Sequence, residues 1–325
     1  MAGFRDREEY ERWKAAREEA LRAKTGAAGQ TPGAAGQDPG ASEASAGLGH
    51  AAAGLSGEIT PIDQLLNGSW MIYRRRAGVL IGLSLFSALV SAVLFIIIAG
   101  AGFLLALADE SLMVPFLAAG ATTGALAGII VFCWGQAATV LAVTDESLGF
   151  PDALAAGWRR LWDFIWLYSA AGFIIIGGFM LFIVPGVLLA IFFSFSQFIL
   201  AEGREKGMRS LLLSRECVRG LWGQVFLRLL VVWLISMAVG SVPLAGPILS
   251  ILAMPFSTVY AFLTYESVKM VKGPVSFDDS AAAKAKWIGI GVAGHAVQVV
   301  ILILLWHAIK GLCPPLTEGL TSPPF

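Results

Sequence analysis

Long stretches without charge alternate with short charged clusters along this chain. Five uncharged runs stand out, at 77–108, 112–144, 164–201, 229–265 and 287–309. None alternates strictly between apolar and polar, and each is far longer than a strand. A helix that crosses the ~30 Å hydrocarbon core of a bilayer needs about 20 predominantly apolar residues. Runs 77–108, 112–144 and 287–309 each predict one crossing, the first two separated by Asp109 and Glu110. Runs 164–201 and 229–265 would each be roughly 55 Å long as one helix. Each carries a breaker near its middle, Pro185-Gly186 in the first and Pro243 to Pro247 in the second. Proline inside a helix removes a hydrogen bond and clashes with the preceding turn, so both runs predict helical hairpins. The fold expected is an all-α, polytopic transmembrane helical bundle of about seven crossings: a six-helix core plus one C-terminal helix.

The basic residues give an independent count, because cytoplasmic loops of membrane proteins are enriched in Lys and Arg. Arg74, Arg75 and Arg76 precede the first segment, and no Lys or Arg lies between the first and second. Arg159 and Arg160 lie between the second and third. Arg204, Lys206, Arg209, Arg215 and Arg219 lie between the fourth and fifth. Lys269, Lys272, Lys284 and Lys286 follow the sixth, while both proline-bearing tips have none. The alternation fails if either long run crosses only once. It predicts a multi-pass cell-membrane protein with its N-terminus in the cytoplasm and its C-terminus outside.

The flanking segments divide the chain further. Residues 1–24 are rich in charge, with Glu8 and Arg12 four apart, and predict a solvated cytoplasmic helix suited to a protein partner. No apolar stretch of a signal peptide is visible there. Residues 25–57 repeat GAAGQTP as GAAGQDP and predict a flexible Gly/Ala/Pro linker. Residues 58–272 form the expected six-helix membrane core. Residues 273–309 form a linker and the seventh helix, and 310–325 a Pro-rich extracytoplasmic tail. Thr60-Pro61 resembles an N-cap with proline at the first helical position, opening a short helix through Leu65, Leu66, Trp70 and Tyr73. At 150–165, Phe150, Leu154, Trp158, Leu161, Trp162 and Ile165 share one helical face, opposite Asp152, Arg159, Arg160 and Asp163. That is the pattern of an amphipathic helix in the headgroup plane, or of one packed on the protein's own helices.

Composition agrees with the pattern. Apolar residues make up 57% of the chain and charged ones 14%, against about 25% charged in soluble domains. The formal net charge is zero, so no nucleic-acid partner is expected. Cys133, Cys217 and Cys313 have neither the count nor the spacing of a disulfide framework or zinc site. His295 and His307 are twelve residues apart, about 18 Å along a helix, too far to share a metal. No metal, cofactor or catalytic site is expected. Gly120 and Gly124 form a GxxxG in the second segment, a close-packing motif.

Two sets of polar residues remain as candidates. Arg215 and Arg219, four apart and with Trp222 beside them, suit a lipid headgroup phosphate at the cytoplasmic face, though snorkelling to water explains them as well. Arg228 is a charge inside a crossing, placed either to snorkel or to pair with Glu202. His295 is a polar group deep in the seventh segment, suited to a hydrogen bond with a neighbouring helix or to a proton relay. Arg228, Glu202 and His295 are the candidate intramembrane polar site.

Four stretches resemble the bacterial membrane-domain family named after glycerophosphoryl diester phosphodiesterases, and related six-helix membrane proteins. They are SWMIYRRRAGVLIGL at 69–83, IVPGVLLAIFFSFSQFILAEG at 183–203, SLLLSRECVRGLWGQVF at 210–226 and PFSTVYAFLTYESVK at 255–269. The resemblance spans roughly residues 58–272. It implies a six-helix core with both ends cytoplasmic, in the cell inner membrane; the seventh segment and the N-terminal extension depart from it. No phosphodiesterase catalytic domain accompanies the membrane part, so no enzymatic activity follows. A non-enzymatic scaffold or lipid-associated membrane module is the leading expectation, with membrane lipids as partners. Transport of a small solute or lipid is the alternative, and a membrane-embedded enzyme is third.

Overall fold

The computed structural model describes residues 59–108, 113–243, 245–273 and 275–312. The expected helix 1–24, the linker 25–57, the acidic pair Asp109–Glu110, Cys313 and most of the tail 310–325 lie outside these. Eleven helices are present among the described residues: α1 (Ile62–Arg75), α2 (Ala77–Ala108), α3 (Met113–Thr144), α4 (Phe150–Arg159), α5 (Leu161–Leu181), α6 (Ile183–Phe193), α7 (Ser196–Ala201), α8 (Met208–Val218), α9 (Trp222–Gly240), α10 (Gly246–Lys272) and α11 (Ala281–Leu312). Seven spans among them are long and apolar enough to cross a bilayer: α2, α3, α5, α6 with α7, α9, α10 and α11. The protein is an all-α polytopic membrane bundle, with one span overlapping each of the three shorter uncharged runs and two overlapping each of the longer ones, as the hairpin reading requires, although α5, α9, α10 and α11 reach beyond the runs into charged positions.

The basic gaps meet at one end of the bundle. Arg75 pairs with Glu146, joining the start of the first crossing to the end of the second. Lys206 reaches Asp163 at 3.2 Å, and Arg209 reaches Asp279 at 3.2 Å. These pairs tie the second, fourth and sixth gaps together. This end is called the basic end below.

Several boundaries differ from those the sequence suggests. The first hairpin turns at Phe182, which is fully extended (φ −168°, ψ 157°), and Pro185 sits in the first turn of α6. Proline there costs nothing, since first-turn N–H groups lack helical partners anyway. The approach of the two arms is set by Gly186, where any Cβ would run into the Phe179 ring. The amphipathic stretch 150–165 is not one helix. It breaks at Arg160 (φ −109°, ψ 9°), so Leu161 is buried at the start of the third crossing while Trp158 and Trp162 are exposed. The N-cap of α1 is Pro61, without a side-chain cap. Thr60 is spent elsewhere, on Ser267 of α10. The fourth crossing is itself interrupted between α6 and α7. There the Ser214 hydroxyl of α8 donates to the Phe192 carbonyl at 2.7 Å and accepts from the Phe195 N–H at 3.2 Å. That exchange satisfies backbone groups which would otherwise be orphaned in a non-aqueous setting.

Burial is concentrated toward the basic end. One core cluster joins α5 to α8 with α10 around Phe164, Leu167, Phe195, Phe198 and Tyr265. The other joins α1 to α4 with α9 and α10 around Leu65, Leu80, Leu83 and Tyr260. At the opposite end Leu104, Val114, Phe182 and Ile248 are all more than 60% exposed. In a bilayer such side chains face lipid tails at no hydrophobic cost. Glycine contacts set the closest approaches between crossings. A Cβ on Gly120 of α3 would lie 2.8 Å from the Gly102 Cα of α2, as the GxxxG motif suggests, and α5 and α11 meet at Gly177, Gly291 and Gly294.

Candidate functional site

Helix C-termini leave carbonyl groups without helical partners, and basic side chains satisfy them well. At the basic end this occurs three times. Arg76 donates to the carbonyls of Ala142 and Leu148 around the end of α3. Arg160 donates to those of Leu200 and of Ala201 (2.8 Å) at the end of α7. Lys272 donates to those of Glu216 (2.6 Å) and Arg219 at the end of α8. Charges that sequence reasoning uses only as topology markers are therefore also ties between neighbouring crossings. Burial lowers the Arg76 guanidinium pKa, against the raising effect of nearby Glu146.

Arg228 is 8% exposed in α9. Of the two placements the sequence left open, it takes neither. Its Nε donates to the Thr60 carbonyl at 3.0 Å, its Nη2 to that of Ile59 at 2.7 Å, and its Nη1 to that of Gln224 at 2.9 Å. Glu202 is held by α10 instead. It accepts from the Tyr265 hydroxyl at 2.9 Å and from Lys269 at 2.6 Å. Lys269 also reaches Glu266 at 2.8 Å, and Arg204 donates to the Tyr265 hydroxyl at 3.1 Å. With Tyr265 and Glu266 buried, this network fastens the end of the fourth crossing to the sixth. The sequence singled out Glu202 but not its α10 partners, because they lie more than sixty residues away.

His295 lies in neither group. It stacks on Phe173 of α5 (4.6 Å between ring centres, 27° between planes). Its Nε2 faces the Phe173 carbonyl at 3.3 Å and its Nδ1 faces Gln298 Oε1 at 3.2 Å. Of its two readings, the hydrogen bond to a neighbouring helix matches this geometry. Arg228, Glu202 and His295 therefore occupy three separate joints and do not form one site.

The arginines of the 207–222 stretch also part company. Helix α8 ends at Val218, Arg219 turns out of it (φ −55°, ψ 127°), and Trp222 opens α9. Trp222 therefore does not continue the face of Arg215. The aromatic partner of Arg215 is Trp287, at the start of α11, with 5.1 Å from the guanidinium carbon to the ring centre. A groove of about 300 Å³ opens here, lined by Leu212, Arg215, Glu216, Phe277, Lys286 and Trp287, among others. Lys286 lies 5.8 Å from the same Trp287 ring. Glu216 on the wall of the groove pairs with Arg215 and, at 3.5 Å, with Arg219. Two cations flank one indole, and Glu216 and Asp278 also line the groove, so its wall carries two charges of each sign. Trp287 follows a charged segment in the sequence, but only the fold brings it to Arg215. No family model matches the chain, and no curated protein or solved structure matches it.

Proposed function

We propose that this integral membrane protein is a non-enzymatic, lipid-associated module whose Arg215–Lys286–Trp287 groove takes the phosphate of a phospholipid headgroup on the cytoplasmic side. The carrying observation is Arg215. It lies on Trp287 beside the groove, and its planar fork suits bidentate phosphate contact once a phosphate displaces Glu216, its present partner. Arg219, 69% exposed, supplies surface charge toward an anionic leaflet, worth about 1 kcal/mol. The basic end faces the cytoplasm by the positive-inside rule, which puts the N-terminal extension there and the C-terminal tail outside. Membership of the phosphodiesterase-named membrane-domain family is part of the same proposal and rests on the four stretches quoted above.

The test is lipid analysis of protein purified in mild detergent. Arg215→Lys keeps the charge and removes the fork, and co-purified anionic phospholipid should fall several-fold. Arg219→Lys should leave it unchanged. Unaltered lipid in the Arg215→Lys protein overturns the groove reading. Transport is the second reading, and the interrupted α6–α7 crossing, together with Pro255 inside α10, favours it. The interruption, however, is filled by Ser214 and the buried Phe195. Uptake or efflux of a labelled solute or lipid by proteoliposomes, absent in empty vesicles, would replace the scaffold reading with this one.

A further inference from the structure

The residues just before α1 are packed as a bound peptide is packed. Ile59 is 2% exposed and belongs to the core formed by α5 to α8 and α10. Its N–H donates to Gln224 Oε1 of α9 at 3.3 Å, and its carbonyl accepts from Arg228 at 2.7 Å. The Thr60 N–H donates to the Ser267 hydroxyl of α10 at 3.2 Å, its hydroxyl bonds the same Ser267 oxygen, and its carbonyl accepts from Arg228. All four backbone polar groups of the Ile59–Thr60 dipeptide are thus taken up by three side chains of α9 and α10. These contacts bridge more than 160 positions of sequence. A guanidinium inside a crossing is costly unless its donors are satisfied, and the dipeptide supplies two of the carbonyls that satisfy it.

We propose that Ile59–Thr60 is a latch seated in a peptide-docking cleft between α9 and α10, and that it couples the 58 residues preceding it to the sixth crossing. The route is short. Ser267, which Thr60 holds, is next in sequence to Glu266. Glu266 shares Lys269 with Glu202 at the end of the fourth crossing. Withdrawing the latch removes two carbonyl partners from Arg228, empties the Ile59 site and frees Ser267 beside the Glu266–Lys269–Glu202 network. A partner that pulls on the N-terminal extension therefore acts on the joint between the fourth and sixth crossings. Pro61 follows directly, and its fixed φ sets the direction in which α1 leaves the cleft. This inference is independent of the headgroup groove.

Two measurements on the full-length protein in proteoliposomes test it. The first places Thr60→Cys and Ser267→Cys in a chain whose native cysteines are serine. Mild oxidation should cross-link most molecules, and adding Ile59→Asp should lower the cross-linked fraction at least five-fold. The second is hydrogen exchange. Ile59→Asp should raise exchange roughly ten-fold at 224–228 and at 265–269. Leu65→Ala, which loosens the buried face of α1 but removes none of the hydrogen bonds of the dipeptide, should leave both stretches protected. Absence of cross-linking in the parent pair overturns the docking, whatever the folding of the Asp variant. Wild-type exchange in Ile59→Asp, or the same deprotection in Leu65→Ala, overturns the coupling.

Discussion

The contact between α5 and α11 gives the sharpest quantitative expectation. A Cβ on Gly177 would lie 2.7 Å from the Gly291 Cα and 2.7 Å from the Gly291 carbonyl oxygen, both backbone atoms that cannot rotate away. To reach the 3.4 Å of an ordinary contact, α5 and α11 must part by about 0.7 Å. That opening loosens the Phe173–His295 stack and the packing around Gly294. Overpacking of this kind costs about 1–3 kcal/mol, because close backbone approach is a main source of helix association in lipid. Gly172 lies on the same helix with nothing within 4 Å of its Cβ position. There Gly→Ala should be neutral or stabilising by up to about 1 kcal/mol, from helix propensity alone. The assay is thermal loss of the monodisperse size-exclusion peak in detergent. Gly177→Ala should lower the midpoint by roughly 3–8 °C, taking a few degrees per kcal/mol, and Gly172→Ala should not lower it. Equal midpoints for the two variants would refute the reasoning, as would restoration of the Gly177→Ala midpoint without any shift of α11.

Arg76→Leu should cost about 1–3 kcal/mol by orphaning the carbonyls of Ala142 and Leu148. Arg76→Lys should recover part of this, read by the same thermal assay. The Cys217 thiol is buried, and desolvation raises its pKa. Less thiolate is present at neutral pH, so in a chain lacking Cys133 and Cys313 maleimide should label it at least ten-fold more slowly than a free thiol. Labelling should speed up as pH rises; rapid modification at pH 7 would contradict the burial. A topology reporter fused after Phe325 should be active only outside the cytoplasm, and cytoplasmic activity would mean that α11 does not cross.

The membrane class, the seven spans and the pairing of the basic gaps are legible along the chain because each depends on local quantities. Hydrocarbon thickness sets the length of an uncharged run, and loop charge is counted without knowing any contact. The GxxxG at Gly120 is legible for the same reason, since its spacing matches a helix face. Residue-level assignments at the basic end are legible only in part. Arg215 and Glu202 stand out as charged groups at segment ends, and Arg228 as a charge within a span. Their partners (Trp287, Lys269, and the Ile59–Thr60 carbonyls) come from elements tens to more than a hundred residues distant. No periodicity points to a backbone carbonyl as the acceptor for a buried arginine. Trp222 illustrates the limit. Its seven-residue spacing puts it on the face of Arg215 only if one helix continues through Arg219, and the backbone turns there. The sequence alone decides that these residues lie in a membrane and at which end. Tertiary packing decides which charge meets which group, because satisfying each one requires donors and acceptors from several crossings at once.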